Sequence, residues 1–322
     1  MHYKVIAIYL NSNIFGGGHL TRISLIEKYL NKNFHKIIKL SISSLDELSE
    51  IIDFYIRGGI FLLDISHPKI VNKFSKDYAK IVFKNSSPLI IDGVDKRSNI
   101  SQFFGKNKCK VLIPYVFNSK RIKINQKNII GVGESFFIFD KKLNLFKTKS
   151  LKISNLSAKK NVLITFGHSD PCKLTLKIIK ILKELELDKK YYNFLIANGN
   201  YLDKKYIQEL EKIDLYENMK LIGSNFYKYL EKINCAISAS GLTKYELTLF
   251  DIPQLLIHID IDQYKSNIEF EKESEIKSLM QEHITNKYIY DFLLNHEEFK
   301  PNNLFVKRLQ KSFLEESGLK LI

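Results

Sequence analysis

Near the start of the chain, Phe15-Gly16-Gly17-Gly18-His19-Leu20-Thr21-Arg22 has residue types and spacing suited to an anionic ligand. It lies between an apolar run at 3–10 and an amphipathic stretch that ends near residue 30. Glycines let a backbone approach a ligand closely, and the open N–H groups of a helix start favour an anion. His19 falls at that helix start, where it can transfer a proton, with Gly17, Gly18 and Arg22 beside it. A flexible turn ahead of a polar helix start is the competing reading. The GxGxxG spacing is absent and no GKS or GKT follows, so this is neither a dinucleotide fingerprint nor a P-loop.

Two further loops follow strand-like runs. In Phe166-Gly167-His168-Ser169-Asp170-Pro171, small residues make a turn. Asp170 is expected as the N-cap and Pro171 at the first helical position. Phosphate or sugar contacts from Gly167, His168 and Ser169 are the functional reading. In Ser238-Ala239-Ser240-Gly241-Leu242-Thr243-Lys244-Tyr245-Glu246, small residues and hydroxyls at a helix start suit a diphosphate. Glu246, one turn further on, could accept both hydroxyls of a ribose. Thr243 and Glu246 also have the spacing of a capping box, which is the simpler reading of Glu246 alone. His67, before Pro68, reads as a loop histidine, with a substrate contact as the alternative. His258-Ile259-Asp260 shows no third metal partner.

The elements needed to hold these loops are legible as alternating strands and helices. Strands are expected at 3–10, 36–40, 59–65, 80–83, 89–92, 111–115 and 129–132, with helices at 20–30 and 44–56. After an aperiodic Lys/Ser/Asn-rich stretch, strands follow at 161–166, 193–197, 219–222, 235–238 and 253–258. Helices alternate with them from Leu174, at 204–213, 225–231 and 242–250. The last ~60 residues read as helical, with Pro301 starting the final helix. Two successive βα units imply two doubly wound α/β domains, with ligands in the cleft between them. The expected boundaries are 1–140, a linker at 141–160, a nucleotide-binding domain at 161–285 and a helical extension at 286–322.

Composition narrows the class. The chain has 322 residues, 45% hydrophobic and 26% charged, as in globular proteins. No run is long and apolar enough to span a bilayer, and the N-terminus runs straight into a strand, so a cytoplasmic protein without a signal peptide is expected. Cys109, Cys172 and Cys235 form no CxxC pair, which argues against a disulfide framework or zinc site. Net charge is +15, yet only five of the 50 basic residues are arginine. Specific nucleic-acid readers lean on arginine forks, so no nucleic-acid partner is expected. Residues 105–127 carry seven Lys/Arg and no Asp or Glu. That is either a solvated face or a patch for acidic headgroups or a polyanionic glycan.

The three loops together resemble the pseudaminic-acid-pathway UDP-sugar hydrolases and the related spore coat polysaccharide glycosyltransferases. Both belong to the wider GT-B group. The resemblance rests on Gly18-His19-Leu20-Thr21-Arg22 (the family's GHxxR), on Thr165 through Pro171, and on Ser238 through Leu247 followed by Asp251-Ile252-Pro253. Asp262-Gln263 falls where the family has an Asn-Gln sugar contact, and Leu63-Asp64 and Ile91-Asp92 match strand ends more loosely. His168 replaces a family glycine, and the acidic pair near Asp92 is split in Asp92-Gly93-Val94-Asp95.

The resemblance implies that His19 activates water or an acceptor hydroxyl. It implies that Ser240, Gly241, Leu242 and Thr243 hold a diphosphate, Glu246 a ribose, and Gln263 the sugar, with Asp64 and His67 also lining the site. It implies no metal and no cofactor. The substrate would be a UDP-linked modified amino sugar from surface glycan or nonulosonic acid biosynthesis, hydrolysed with inversion. A histidine of ordinary pKa, about 6.5, suits the base, and a helix N-terminus would depress that value. The rival readings are a glycosyltransferase with a glycan or lipid-linked acceptor, working peripherally at the inner face of the membrane, and a non-catalytic sugar-nucleotide binding protein.

Overall fold

The computed structural model describes residues 4–11, 17–32, 36–55, 59–94, 96–116, 124–143, 159–187, 191–199, 204–213 and 215–322. Gly16, Asp95, residues 117–123 of the basic stretch and 144–158 of the expected linker lie outside them. The chain divides into two units, Met1–Phe139 with Gln310–Ile322, and Asp140–Leu309.

In the first unit, β1 (Lys4–Leu10), α1 (Gly18–Lys32), β2 (Lys36–Ile42), α2 (Leu45–Tyr55) and β3 (Ile60–Asp64) come first. Two short helices follow, α3 (Pro68–Val71) and α4 (Lys76–Val82), then β4 (Leu89–Ile91), β5 (Lys110–Ile113) and β6 (Ile129–Val132). The strands form one six-stranded sheet in the order β2-β1-β3-β4-β5-β6, with every neighbour parallel. Strands covered on both faces read as continuous apolar runs, as 60–63 does. The order reverses between β1 and β3, the topological switch point where such sheets hold their ligands.

The second unit has the same logic. Its elements are β7 (Lys160–Thr165), α5 (Leu174–Glu184), β8 (Tyr192–Ala197), α6 (Lys204–Glu211), β9 (Met219–Leu221), β10 (Cys235–Ala239), α7 (Thr243–Leu249), β11 (Gln254–His258), α8 (Ile261–Ser274), β12 (Ser278–Met280) and α9 (Asn286–Leu294). The order β12-β11-β10-β7-β8-β9 is all parallel and reverses between β7 and β10. The loops after β7 and β10, both singled out by sequence, therefore leave the sheet on either side of its switch point.

Several expectations need correction. Residues 80–83 are not a strand but the end of α4 and its cap. Ser75 Oγ accepts the Tyr78 N–H at 3.0 Å, and Ala79 and Val82 are buried one turn apart while Ile81 is 75% exposed. Helical period, not the β-branched run, decided the element. Residues 278–280 add an edge strand within a tail expected to be all helical. Asp170 is not an N-cap and Pro171 is not the first helical residue. The helix begins at Leu174, and Asp170 reaches forward, accepting the Leu174 and Thr175 N–H groups at 2.8 and 2.9 Å and the Tyr206 hydroxyl at 2.5 Å. Residues 226–232 form a 3-10 turn rather than an α-helix. Pro301 precedes the final long helix α10 (Asn303–Glu315), where Asn302 accepts the Leu304 N–H at 2.9 Å.

The tail does not form one separate extension. Ile289, Phe292 and Leu293 of α9 enter the second unit's core. Residues 310–322, ending with α11 (Ser317–Lys320), belong to the first unit. There Leu319 joins the cluster that includes Ile23 and Ile26 of α1 and Ile138. The end of the chain thus helps seat the helix that carries His19.

In the second unit the loop after β7 rests directly on the loop after β8. A Cβ added at Gly199 would lie 2.1 Å from the His168 carbonyl oxygen, against backbone that cannot swing aside. Gly241 is the opposite case, with nothing within 4 Å of an added Cβ. Gly199→Ala should therefore lower stability by about 1–3 kcal/mol in urea unfolding, while Gly241→Ala stays within about 1 kcal/mol of wild type. Equal midpoints for the two variants would show that this backbone approach is not made.

Candidate functional site

At the first switch point, β1 leads into α1 and β3 ends on Asp64, so His19, Arg22 and Asp64 converge. Gly17 is buried, and its carbonyl accepts the Thr21 N–H at 3.0 Å, which opens α1. His19 and Arg22, three residues apart, project from the same side of its first turn. Ile23, Ile26 and Leu30 bury the other side.

The Asp64 carboxylate is fully buried and serves both neighbours. His19 Nδ1 lies 2.7 Å from Oδ1. Arg22 donates through Nε to Oδ2 at 2.7 Å and through Nη2 to Oδ1 at 2.6 Å. Arg22 also donates to the Tyr115 hydroxyl, and its guanidinium lies 5.6 Å from that ring's centre. Burial alone would raise the Asp64 carboxyl, but the charges and hydrogen bonds of Arg22 and His19 outweigh it and hold the group below its ordinary value. Burial, opposed by Arg22, leaves the Tyr115 hydroxyl raised to about 12, a neutral partner. An ionised carboxylate only accepts, so His19 Nδ1 carries the proton and donates it to Asp64. In the neutral ring Nε2 is then the basic nitrogen. A buried acid holding a histidine's Nδ1 in this way leaves its Nε2 able to take up a proton.

Arg22 and Asp64, expected among the substrate contacts, are thus turned inward. Asp64 is 0% and Arg22 7% exposed, with their polar groups engaged by His19, Tyr115 and each other. His67 caps α3, its Nδ1 accepting the Lys69 N–H at 3.2 Å. Asp92 is buried and accepts the Ser66 hydroxyl at 2.7 Å and the Gly93, Ile100 and Ser101 N–H groups at 3.1, 2.9 and 2.8 Å. It organises the loop after β4. Tyr115 was missed because its link to Arg22 spans 93 residues. The one local signal was its position just past a strand end.

In the second unit, Gly167 turns the chain with φ at +79°, conformational space that favours glycine. His168 and Ser169 are half-buried, and burial lowers the His168 imidazole. The loop after β10 differs from expectation in one respect. The Ser240 hydroxyl is buried and lies 2.6 Å from His258 Nδ1, and His258 Nε2 lies 2.7 Å from Glu271 Oε1. The Ser240 hydroxyl is thus engaged by His258 and anchors the loop. The Gly241, Leu242 and Thr243 N–H groups donate to no described group, and those three residues are half-buried. Such a run of open donors suits an anion.

Glu246 does not close a capping box. Leu242 is the N-cap and makes no side-chain cap bond. Instead the Glu246 Oε1 accepts the Tyr227 hydroxyl at 3.0 Å, and the other oxygen has no partner among the described residues. Burial, opposed by Tyr227 and reinforced by nearby Asp140, pushes its carboxyl up to about 7. Gln263, in the first turn of α8, holds its side-chain oxygen on the Ile259 N–H at 2.9 Å. That fixes the amide and leaves its NH2 as the available donor. Among the described residues, no group of three His, Cys, Asp or Glu could hold a metal ion. Nor, among them, is any helix long and apolar enough to cross a membrane.

No protein-family model matches the chain. The Methanocaldococcus jannaschii protein MJ1062, described as uncharacterized, is 26% identical over 150 residues, covering 44% of this chain and 29% of its own length. The Helicobacter pylori pseudaminic acid cytidylyltransferase and UDP-2,4-diacetamido-2,4,6-trideoxy-beta-L-altropyranose hydrolase is 24% identical over 280 residues, 83% of this chain and 47% of its own. The chain thus spans less than half the length of either curated relative. Among solved structures, the glycotransferase of kitacinnamycin is 10% identical with a TM-score of 0.63, covering 99% of this chain and 96% of that one. The UDP-GlcNAc 2-epimerase from Neisseria meningitidis bound to UDP-GlcNAc is 14% identical with a TM-score of 0.59, covering 98% and 97%. The fold is the two-domain, doubly wound α/β arrangement of the GT-B glycosyltransferases and epimerases.

Proposed function

We propose that the chain is an enzyme acting on a UDP-sugar, and that it hydrolyses a UDP-linked amino sugar with inversion at the anomeric carbon. The observation that carries this reading is the His19–Asp64–Arg22 chain, which leaves His19 Nε2 as a base at a switch point. In the second unit, the open N–H groups at Gly241, Leu242 and Thr243 are proposed to take the diphosphate, and Glu246 the ribose hydroxyls. Gly18, His67, Gly167, His168, Ser169 and Gln263 are proposed as sugar or phosphate contacts around them. The likeness to the H. pylori protein, whose name includes a UDP-sugar hydrolase, supports water as the acceptor.

In the proposed reaction His19 Nε2 takes a proton from water as the oxygen attacks the anomeric carbon. The carbon–oxygen bond to UDP breaks with its electron pair, and the loop N–H groups meet the charge on the departing diphosphate. Asp64 stabilises the imidazolium that forms, and Arg22 keeps Asp64 ionised and in place. The second reading is a glycosyltransferase using the same residues with a glycan or lipid-linked hydroxyl in place of water. It is favoured by the glycosyltransferases among proteins of this fold and by the basic stretch 105–127. A peripheral contact with an acidic membrane surface belongs to that reading.

A panel of UDP-, CMP- and GDP-sugars incubated without acceptor tests the choice. Stoichiometric UDP and free sugar support hydrolysis. Release only after adding a glycan or lipid fraction supports transfer, and binding without turnover contradicts both. On the substrate so found, His19→Asn should lower kcat by about 100- to 10,000-fold while UDP affinity stays within about 2-fold. Unchanged turnover would remove His19 from the chemistry. Asp64→Asn leaves Arg22 buried beside an amide, so about 3–5 kcal/mol of stability should be lost along with activity.

Glu246 gives a pH test. With its carboxyl near 7, it is mostly ionised at pH 8 and mostly protonated at pH 6. If the ionised form accepts the ribose hydroxyls, wild-type UDP affinity should fall by about 10-fold more than that of Glu246→Gln between those pH values. Parallel profiles, measured by calorimetry, would show that Glu246 does not contact the nucleotide.

A further inference from the structure

Directly beneath the Gly241–Thr243 loop lies a buried ammonium with no carboxylate in ion-pair reach among the described residues. Lys244 is 7% exposed. Its Nζ donates to the Ser240 carbonyl at 3.0 Å and to Asn267 Oδ1. It also lies 4.9 Å from the Tyr245 ring centre and 4.8 Å from that of Phe270. Around it, α8 presents Glu271 and Asn267, β11 presents His258, and its own helix carries Glu246. Glu271 is engaged by His258, which in turn holds Ser240, so its charge reaches Lys244 only at a distance. Burial, partly offset by Glu271, lowers the Lys244 ammonium to about 7. A lysine kept in such surroundings is poised to respond to a new charge.

We propose that Lys244 is the counter-charge of the bound diphosphate, and that nucleotide binding draws a proton from solvent onto its Nζ. This rests on the reading that the loop takes a diphosphate. The Ser240 carbonyl that holds Nζ and the Gly241 N–H belong to one trans peptide unit and point to its opposite sides, so a phosphate on the Gly241 N–H lies across a single peptide unit from the ammonium. In low-dielectric surroundings that proximity favours the charged lysine, and by linkage the charged lysine favours the phosphate. Lys244 thereby makes the loop prefer a diphosphate over the corresponding nucleoside, although it touches solvent little.

Calorimetric titration of the full chain with UDP at pH 8.0, in buffers of differing ionisation enthalpy, counts the protons exchanged. At that pH the UDP phosphates and Glu246 are largely ionised and contribute little. The expected result is uptake of about half a proton per UDP, falling below about 0.1 in Lys244→Met, whose affinity for UDP drops by about 10-fold or more. In wild type alone, uptake should rise above pH 7 and decline again by about pH 9.5, which keeps the inference testable if Lys244→Met does not fold. UDP binding without uptake, or uptake that persists in Lys244→Met, overturns the role given to Lys244. Failure of wild type to bind UDP overturns the diphosphate reading itself, and this inference with it.

Discussion

The candidate site of the first unit is organised around the buried carboxylate of Asp64. Asp64 ends β3 with no exposure to water, a position that would be prohibitive for a charge without partners. Arg22 answers with two hydrogen bonds and His19 with a third. This arrangement sets the requirements for much of what surrounds it. Helix α1 must start at Gly18 so that His19 and Arg22 both face β3, and the strand order must put β1 beside β3. Tyr115 must reach Arg22, and residues 310–322 must return to back α1. Removing one partner from such a set is costly because it leaves a buried charge unanswered.

The second unit solves a different problem with similar means. Its loop after β10 leaves three N–H groups without an acceptor among the described residues, and other groups hold it. Ser240 bonds downward to His258, His258 to Glu271, and Lys244 to the Ser240 carbonyl and Asn267. The polar groups a sequence reader assigns to the ligand are in part the loop's foundations. Left uncommitted among the described residues are the backbone N–H groups of Gly241–Thr243, one oxygen of Glu246 and the Gln263 NH2.

Much of this was legible in the sequence because it is local. Alternating apolar runs and amphipathic stretches gave two doubly wound units, and the glycine-bearing loops lie at the sheets' switch points as such loops should. The losses came where local and distant terms compete. Residues 80–83 look like a strand by composition, but the Ser75 cap and the packing of Ala79 and Val82 make them helical. Thr243 and Glu246 have capping-box spacing, yet Tyr227, 19 residues away, takes the carboxylate instead. Asp64 is legible as an acid at a strand end, but its partners could not be read, because Arg22 is 42 residues away and Tyr115 is further still. Lys244 was hidden for another reason: lysine is usually exposed, and nothing in its neighbourhood of the sequence announces burial.

The proposed chemistry depends on His19 having its proton on Nδ1 and a basic Nε2. Long-range proton–nitrogen correlation NMR on protein labelled with 15N-histidine reads that tautomer directly, with His19 assigned from the spectrum of His19→Asn. The hydrogen bond to Asp64 predicts the Nδ1–H form for the neutral ring of His19. An Nε2–H tautomer would contradict it, because Asp64 would then not be accepting from Nδ1 and Nε2 would not be free to take a proton.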